Sequence, residues 1–192
     1  MSSPVLITVD PASPQVAPAG GYTITQLGAS ALNTITIQGG GNTVTASAAH
    51  TIGSLHDAIF EIIGGDWITI EDFVMTEDNT NNTVVTPVGS NDMTEFGVAI
   101  FKTTTTDGAQ NCTIQNNTIS LNRLYVNSFG VYSNTRHSAT VVTTLADATA
   151  ATGTNENLHI YDNTISNVNM GIIVIGSIAS GAIRPAAWMA SR

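Results

Sequence analysis

The chain has 192 residues, a length that suits one domain. Only 10% of them are charged, with 14 acidic against 5 basic side chains and a net charge of −9, which argues against nucleic acid as a partner because phosphate binding needs clustered Lys and Arg. A single cysteine rules out a disulfide framework or a zinc-binding cysteine pair, and no apolar run reaches the length of a membrane-crossing helix.

Residues 1–29 show no repeat and are expected to form a lead-in or cap. The opening Met1-Ser2-Ser3-Pro4-Val5 lacks the charged and apolar regions of a signal peptide, so the export signal of a secreted protein is expected to lie elsewhere. A recurring unit then begins. Ile35-Thr36-Ile37 with Val44 is followed by Ile68-Thr69-Ile70 with Met75, Cys112-Thr113-Ile114 with Ile119, and Leu158-His159-Ile160 with Ile165. Apolar and polar residues alternate in each copy, which is the period of a half-buried strand. Asn116-Asn117 and Asp162-Asn163 break the run where the backbone must bend; Phe73 takes the place of the second asparagine in the copy at 67–76.

A third apolar piece completes each unit: Asp57–Ile62, Phe96–Phe101, Phe129–Ser133 and Met170–Val174, the last three with Gly in second place. Three short strands per unit, separated by bends, describe one coil of a parallel β-helix, with successive coils about 4.8 Å apart. The copies starting at Ile35, Ile68, Cys112 and Leu158 are spaced by 33, 44 and 46 residues. A bare coil needs only about 20–25 residues, so the excess is assigned to two loop insertions, 77–94 and 137–156, rich in Thr, Asn, Ala and Gly. The parallel β-helix is expected over 30–180 in about four coils. Residues 181–192 abandon the pattern and read as a tail outside it, or as the point where a longer chain is cut.

These residues carry a family likeness. The unit N-x-x-I-x-x-N-x-I followed by G-[IV]-x-[VIL] resembles the right-handed parallel β-helix repeat proteins, the pectate-lyase-like superfamily and the secreted bacterial surface β-helix proteins. The stretch 58–73 looks like the opening coil of large cell-surface members of that group. The likeness implies an all-β, right-handed solenoid exported to the cell surface or beyond. Its functions range from lyases, glycosidases and esterases to adhesins, so it leaves the activity open.

Stacking the units makes outward columns: Thr36, Thr69, Thr113 and His159; Gln38, Glu71, Gln115 and Tyr161; and, at the bend, Gly39, Asp72, Asn116 and Asp162. The likeness to the lyase branch implies Ca2+ held by acids on neighbouring coils, for which Asp72, Asn116 and Asp162 are the candidates, since a hard cation takes oxygen ligands; bends favour the same residues without any metal. The same branch uses an Arg or Lys base, and Lys102 and Arg123 are the available ones, with Glu71 and His159 near the acid column. The adjacent acids Glu71-Asp72 and Glu77-Asp78 are expected on opposite faces. His50 and His56 match no zinc spacing, and no G-x-S-x-G elbow supports a triad. Trp67, Tyr132, Tyr161 and Phe101 fall on outward positions and form a candidate sugar-stacking strip.

Two functional readings follow. The first is a non-catalytic extracellular module of a larger secreted or surface protein, binding or displayed on polysaccharide. Its further partners are neighbouring coils of a parent chain or other copies through open ends. The second is a hydrolase or lyase acting on a carbohydrate or another ester or uronate substrate, with Ca2+ as its implied cofactor.

Overall fold

In the computed structural model, described for residues 2–10, 12–25, 28–48, 50, 57–85, 90–138 and 147–176, the backbone is almost wholly strand and turn. The strands before the first long loop are β1 (Val5–Thr8), β2 (Gln15–Val16), β3 (Tyr22–Thr25), β4 (Ile35–Thr45), β5 (Ala58–Ile63) and β6 (Ile68–Thr76). That loop carries a small antiparallel pair, β7 (Val84–Val85) with β8 (Ser90–Asn91). There follow β9 (Phe96–Lys102), β10 (Thr113–Gln115), β11 (Thr118–Ser120) and β12 (Phe129–Ser138). After a single 3-10 turn at Ala151–Gly153 come β13 (His159–Tyr161), β14 (Thr164–Ser166) and β15 (Met170–Ile175).

The chain is all-β and builds two parallel sheets. One runs β1-β4-β6-β10-β13, with β2, β11 and β14 flanking it, and the other runs β3-β5-β9-β12-β15. Each repeat contributes to both. The pairing follows the columns legible in the sequence: Thr36 pairs with Thr69, Thr69 with Thr113 and Thr113 with His159. In the next strand Val44 pairs with Met75, Met75 with Ile119 and Ile119 with Ile165. On the second sheet Ala58, Phe96, Phe129 and Met170 are in register. Strands β1, β2 and β3, inside the lead-in 1–29, pair in the same parallel sense with β4 and β5. Residues 177–192, including the tail 181–192, lie outside the described residues.

The core lies between the sheets and takes Ile35, Ile68, Ile70, Cys112 and Ile114 from one and Ile62, Val98, Ile100 and Val131 from the other. Each such side chain contributes about 1.5–3 kcal/mol by leaving water. Cys112 is buried beside Gly65 and Ile68, and burial pushes its thiol up to about 12. Along the inward column Ile68 and Cys112 are buried and Leu158 is only half-buried, because β13 is the last strand of its sheet. The recurrent glycine of the third strand has a steric cause. A Cβ on Gly97 would sit 2.6 Å from the carbonyl oxygen of Gly130 and 2.6 Å from Ile119.

The bends are built from left-handed residues. Asp72, Asn116 and Asp162 have φ of 58°, 56° and 53°, the region that Asn and Asp tolerate best among residues with a side chain. Just beyond each bend the side chain turns inward. Asn117 Oδ1 accepts from the Phe73 N–H (3.1 Å), and its Nδ2 donates to Ile70 O and to Asn163 Oδ1 (both 3.1 Å). Asn163 Oδ1 accepts the Asn117 N–H (3.0 Å), and its Nδ2 donates to Ile114 O (2.8 Å). These amides, buried at Asn117 and half-buried at Asn163, thus satisfy the backbone groups that the bend would otherwise orphan.

Candidate functional site

The residues singled out from the sequence fall into separate places. Along the first sheet, Gln38 Nε2 donates to Glu71 Oε1 and to Asp72 Oδ2, both at 3.1 Å, and Gln115 Nε2 donates to Glu71 Oε2. Glu71 and Asp72 therefore share one amide partner on the same side of the sheet. The expected opposition of these adjacent acids fails because the left-handed backbone at Asp72 interrupts the strand alternation. Asn116 and Asp162 are exposed at the equivalent bends, and His159 and Tyr161 are exposed on β13. Gln38 occupies one oxygen of Asp72. Among the described residues no three His, Cys, Asp or Glu side chains are grouped as metal ligands.

Lys102 and Tyr132 both lie elsewhere, on the second sheet. The expected exposure of Tyr132 and Phe101 is corrected: they are 7% and 0% exposed. The face of this sheet turned away from the core carries its own apolar cluster, in which Tyr132 packs on Phe96 at 4.8 Å and on Phe129 at 5.2 Å between ring centroids. The Tyr132 hydroxyl lies 2.7 Å from His137 Nδ1, and Asn134 Nδ2 donates to it at 3.1 Å. Lys102, buried, donates from Nζ to Thr135 O at 2.8 Å. Burial lowers the pKa of both Lys102 and His137, and neighbouring positive charge lowers His137 further. Arg136 is paired with Asp147 through Nη2 at 3.1 Å. Trp67 stands apart, half-buried with φ of 55°, an unusual conformation for a bulky residue, and Arg123 is exposed in the turn after β11.

A polar groove of about 310 Å³ opens where the end of β6 and the start of the first long loop meet the turn after β11. Its walls are Glu77, Asp78, Asn79, Asn81, Asn122 and Asn167, with Thr76, Ser120 and Leu121. The Glu77 N–H donates to Ser120 O (3.0 Å), and Asn122 Nδ2 donates to Asn81 O (3.3 Å), so the two sides of the groove are tied to each other. Glu77 and Asp78, expected on opposite faces, both line it because β6 has ended at Thr76 and strand alternation no longer applies.

Behind the groove lies a buried ionisable network. Asn81 Nδ2 donates to Glu77 Oε1 (2.9 Å) and to Ser47 O (2.7 Å). Thr94 donates from Oγ1 to Glu77 Oε1 (2.7 Å) and from its backbone N–H to Glu77 Oε2 (2.9 Å). His50 Nε2 lies 3.0 Å from Thr94 Oγ1, and His50 Nδ1 lies 3.1 Å from Asp57 Oδ1. The Asp57 N–H donates to Glu95 Oε2 at 3.0 Å. Burial pushes Glu95 up to about 9 and Glu61 up to about 7, each helped by the charge of Asp57. Burial also raises Glu77, against its bonds from Asn81 and Thr94 and the nearby His50.

Asp57, His50 and Thr94 have the spacing of a carboxylate–imidazole–hydroxyl triad, but the polarity is wrong for one. A nucleophile must give its proton to the imidazole, whereas the Thr94 hydroxyl gives its proton to Glu77, and Thr94 is fully buried. The arrangement is one of support, joining Ser47, His50 and Asp57 to residues 77–81 and 94–95.

Sequence reasoning examined His50 only for zinc and passed over Glu61, Glu95 and Thr94. One signal was there: Glu61 is a lone acid inside the apolar strand Ala58–Ile63. Comparison with protein-family models, with curated proteins and with solved structures finds no match for this chain.

Proposed function

We propose that the chain is a stretch of right-handed parallel β-helix within a secreted or surface-attached protein, and that it is a binding module for polysaccharide rather than a catalyst. The fold reading is supported by the in-register parallel pairing of successive repeats in two sheets. The functional reading is carried by the groove, whose walls offer amides, hydroxyls and two carboxylates and no Lys, Arg or His. Such a lining can exchange hydrogen bonds with sugar hydroxyls, and it carries no Arg or Lys of the kind the lyase branch uses as its base. Two acids in a lining with no Lys or Arg favour neutral glycans over uronates.

Titration calorimetry with neutral and uronic oligosaccharides tests this reading. Neutral glycans should bind weakly, and Asn79→Ala with Asn122→Ala should abolish the heat of binding while the melting temperature changes little. Binding that survives this pair of changes, or that prefers uronates, would overturn it.

The hydrolase or lyase reading draws on a different observation, the lowered pKa values of Lys102 and His137 beside the Tyr132 hydroxyl. It requires turnover of an ester or uronate substrate that Tyr132→Phe abolishes.

A further inference from the structure

We propose that the groove continues onto the outer face of β11 and β14, where Thr118, Thr164 and Ser166 receive the units of a neutral glycan that reach beyond it. This rests on the groove being the ligand contact, and it adds the length and course of the ligand.

The argument starts from turns that shorten along the stack. Residues 77–95 follow β6, 121–128 follow β11 and only 167–169 follow β14. The long turn supplies the groove wall, Glu77 to Asn81, and the two shorter ones supply the floor, Leu121 with Asn122 and then Asn167. The wall stands on one side, and on the other the floor runs back into the strands that precede it. Thr76 and Ser120 belong to both, since each ends its strand and lines the groove.

Strand alternation fixes what lies beyond. Ile119 and Ile165 pack in the core, so Thr118, Ser120, Thr164 and Ser166 point away from it. Parallel pairing sets Val74, Thr118 and Thr164 in one column and Thr76, Ser120 and Ser166 in the next, with about 4.8 Å between neighbours. Thr118, Thr164 and Ser166 are exposed, and none of the six residues is charged, in a chain of net charge −9.

The face on the other side of the bend is different. There Glu71 takes the amides of Gln38 and Gln115, so its side chains satisfy one another. Past the bend, among the described residues, the hydroxyls of Thr118, Ser120, Thr164 and Ser166 bond no other protein group. Each keeps one donor and two acceptor positions for a ligand. Such a grid suits neutral sugar units and offers a uronate no counter-charge.

The test is calorimetry of the full chain with disaccharides and hexasaccharides of the cello, xylo and manno series. In the series that binds, the hexasaccharide should bind about tenfold tighter than the disaccharide. Thr118→Val with Thr164→Val should remove that gain and leave the disaccharide affinity unchanged. Val74 already stands in this column, so the strands accept valine there. Asn79→Ala with Asn122→Ala should abolish binding of both lengths. A hexasaccharide that binds no tighter than the disaccharide, or a gain that the valine pair keeps, would overturn the extension and leave the groove standing. Hexasaccharide binding that survives the asparagine changes, or no binding at either length, would overturn the groove reading and the extension with it.

Discussion

Two regions of this molecule bury polar side chains, and they do so by opposite means. At the bends beside Asp72 and Asn116, the amides of Asn117 and Asn163 stack one repeat on the next and satisfy backbone groups without carrying charge. Behind the groove, burial raises the carboxyls of Glu61, Glu77 and Glu95, so the charge they carry depends on pH. Polar burial is cheap and insensitive to pH when donors and acceptors match by type. It becomes a proton store when they match only after titration.

The largest effect should come from putting a charge where the repeat has none. Ile114→Asp places a carboxylate at a fully buried core position, costing several kcal/mol, and should abolish cooperative unfolding in circular dichroism. A soluble, cooperatively folding variant would mean that the inward register is not what holds the sheets together.

Asn117→Ala comes next, since it strips partners from Phe73 N–H, Ile70 O and Asn163. A loss of about 2–3 kcal/mol is expected from buried groups left unsatisfied, and it should be the same at pH 5 and pH 8 in urea denaturation. A pH-dependent loss would erase the contrast between the two regions.

Glu61→Gln should show the opposite dependence. The carboxyl is raised from 4.5 to about 7 in the folded state, so the folded protein holds a proton that the unfolded chain releases. Stability is therefore lost as pH rises from about 4.5 to about 7, by on the order of 2–3 kcal/mol. The Gln variant should match the wild type below pH 4.5 and exceed it by roughly that amount at pH 8. Equal stability at both pH values would remove Glu61 from the network.

The smallest effect concerns calcium. Millimolar Ca2+ should leave the melting temperature unchanged, because Gln38 already holds Asp72 and the left-handed bend accounts by itself for Asp and Asn at 72, 116 and 162. A rise that Asp162→Ala removes would instead make the bend column a cation site.

The sequence was legible where it repeats. Thr69, Thr113 and His159 share a column because parallel pairing sets like positions side by side, and the apolar residues on either side of Thr69, Ile68 and Ile70, could then point only inward. Legibility failed at the outer face of the second sheet. Strand parity placed Phe101 and Tyr132 outward, yet it carries no information on whether that face meets water, and both are buried.

By itself, then, the sequence determined the all-β class, the parallel columns and the bends. Those follow from local alternation, from the tolerance of Asn and Asp for left-handed backbone, and from self-similarity between copies. Only the tertiary structure decided the groove and the network behind it. His50 and Thr94 are 44 residues apart, Asp57 and Glu95 are 38 apart, and Glu77 and Thr94 are 17 apart, and none of these pairs recurs in the repeat. Contacts between non-repeating segments are set by where the loops return to the sheets, which no local pattern encodes.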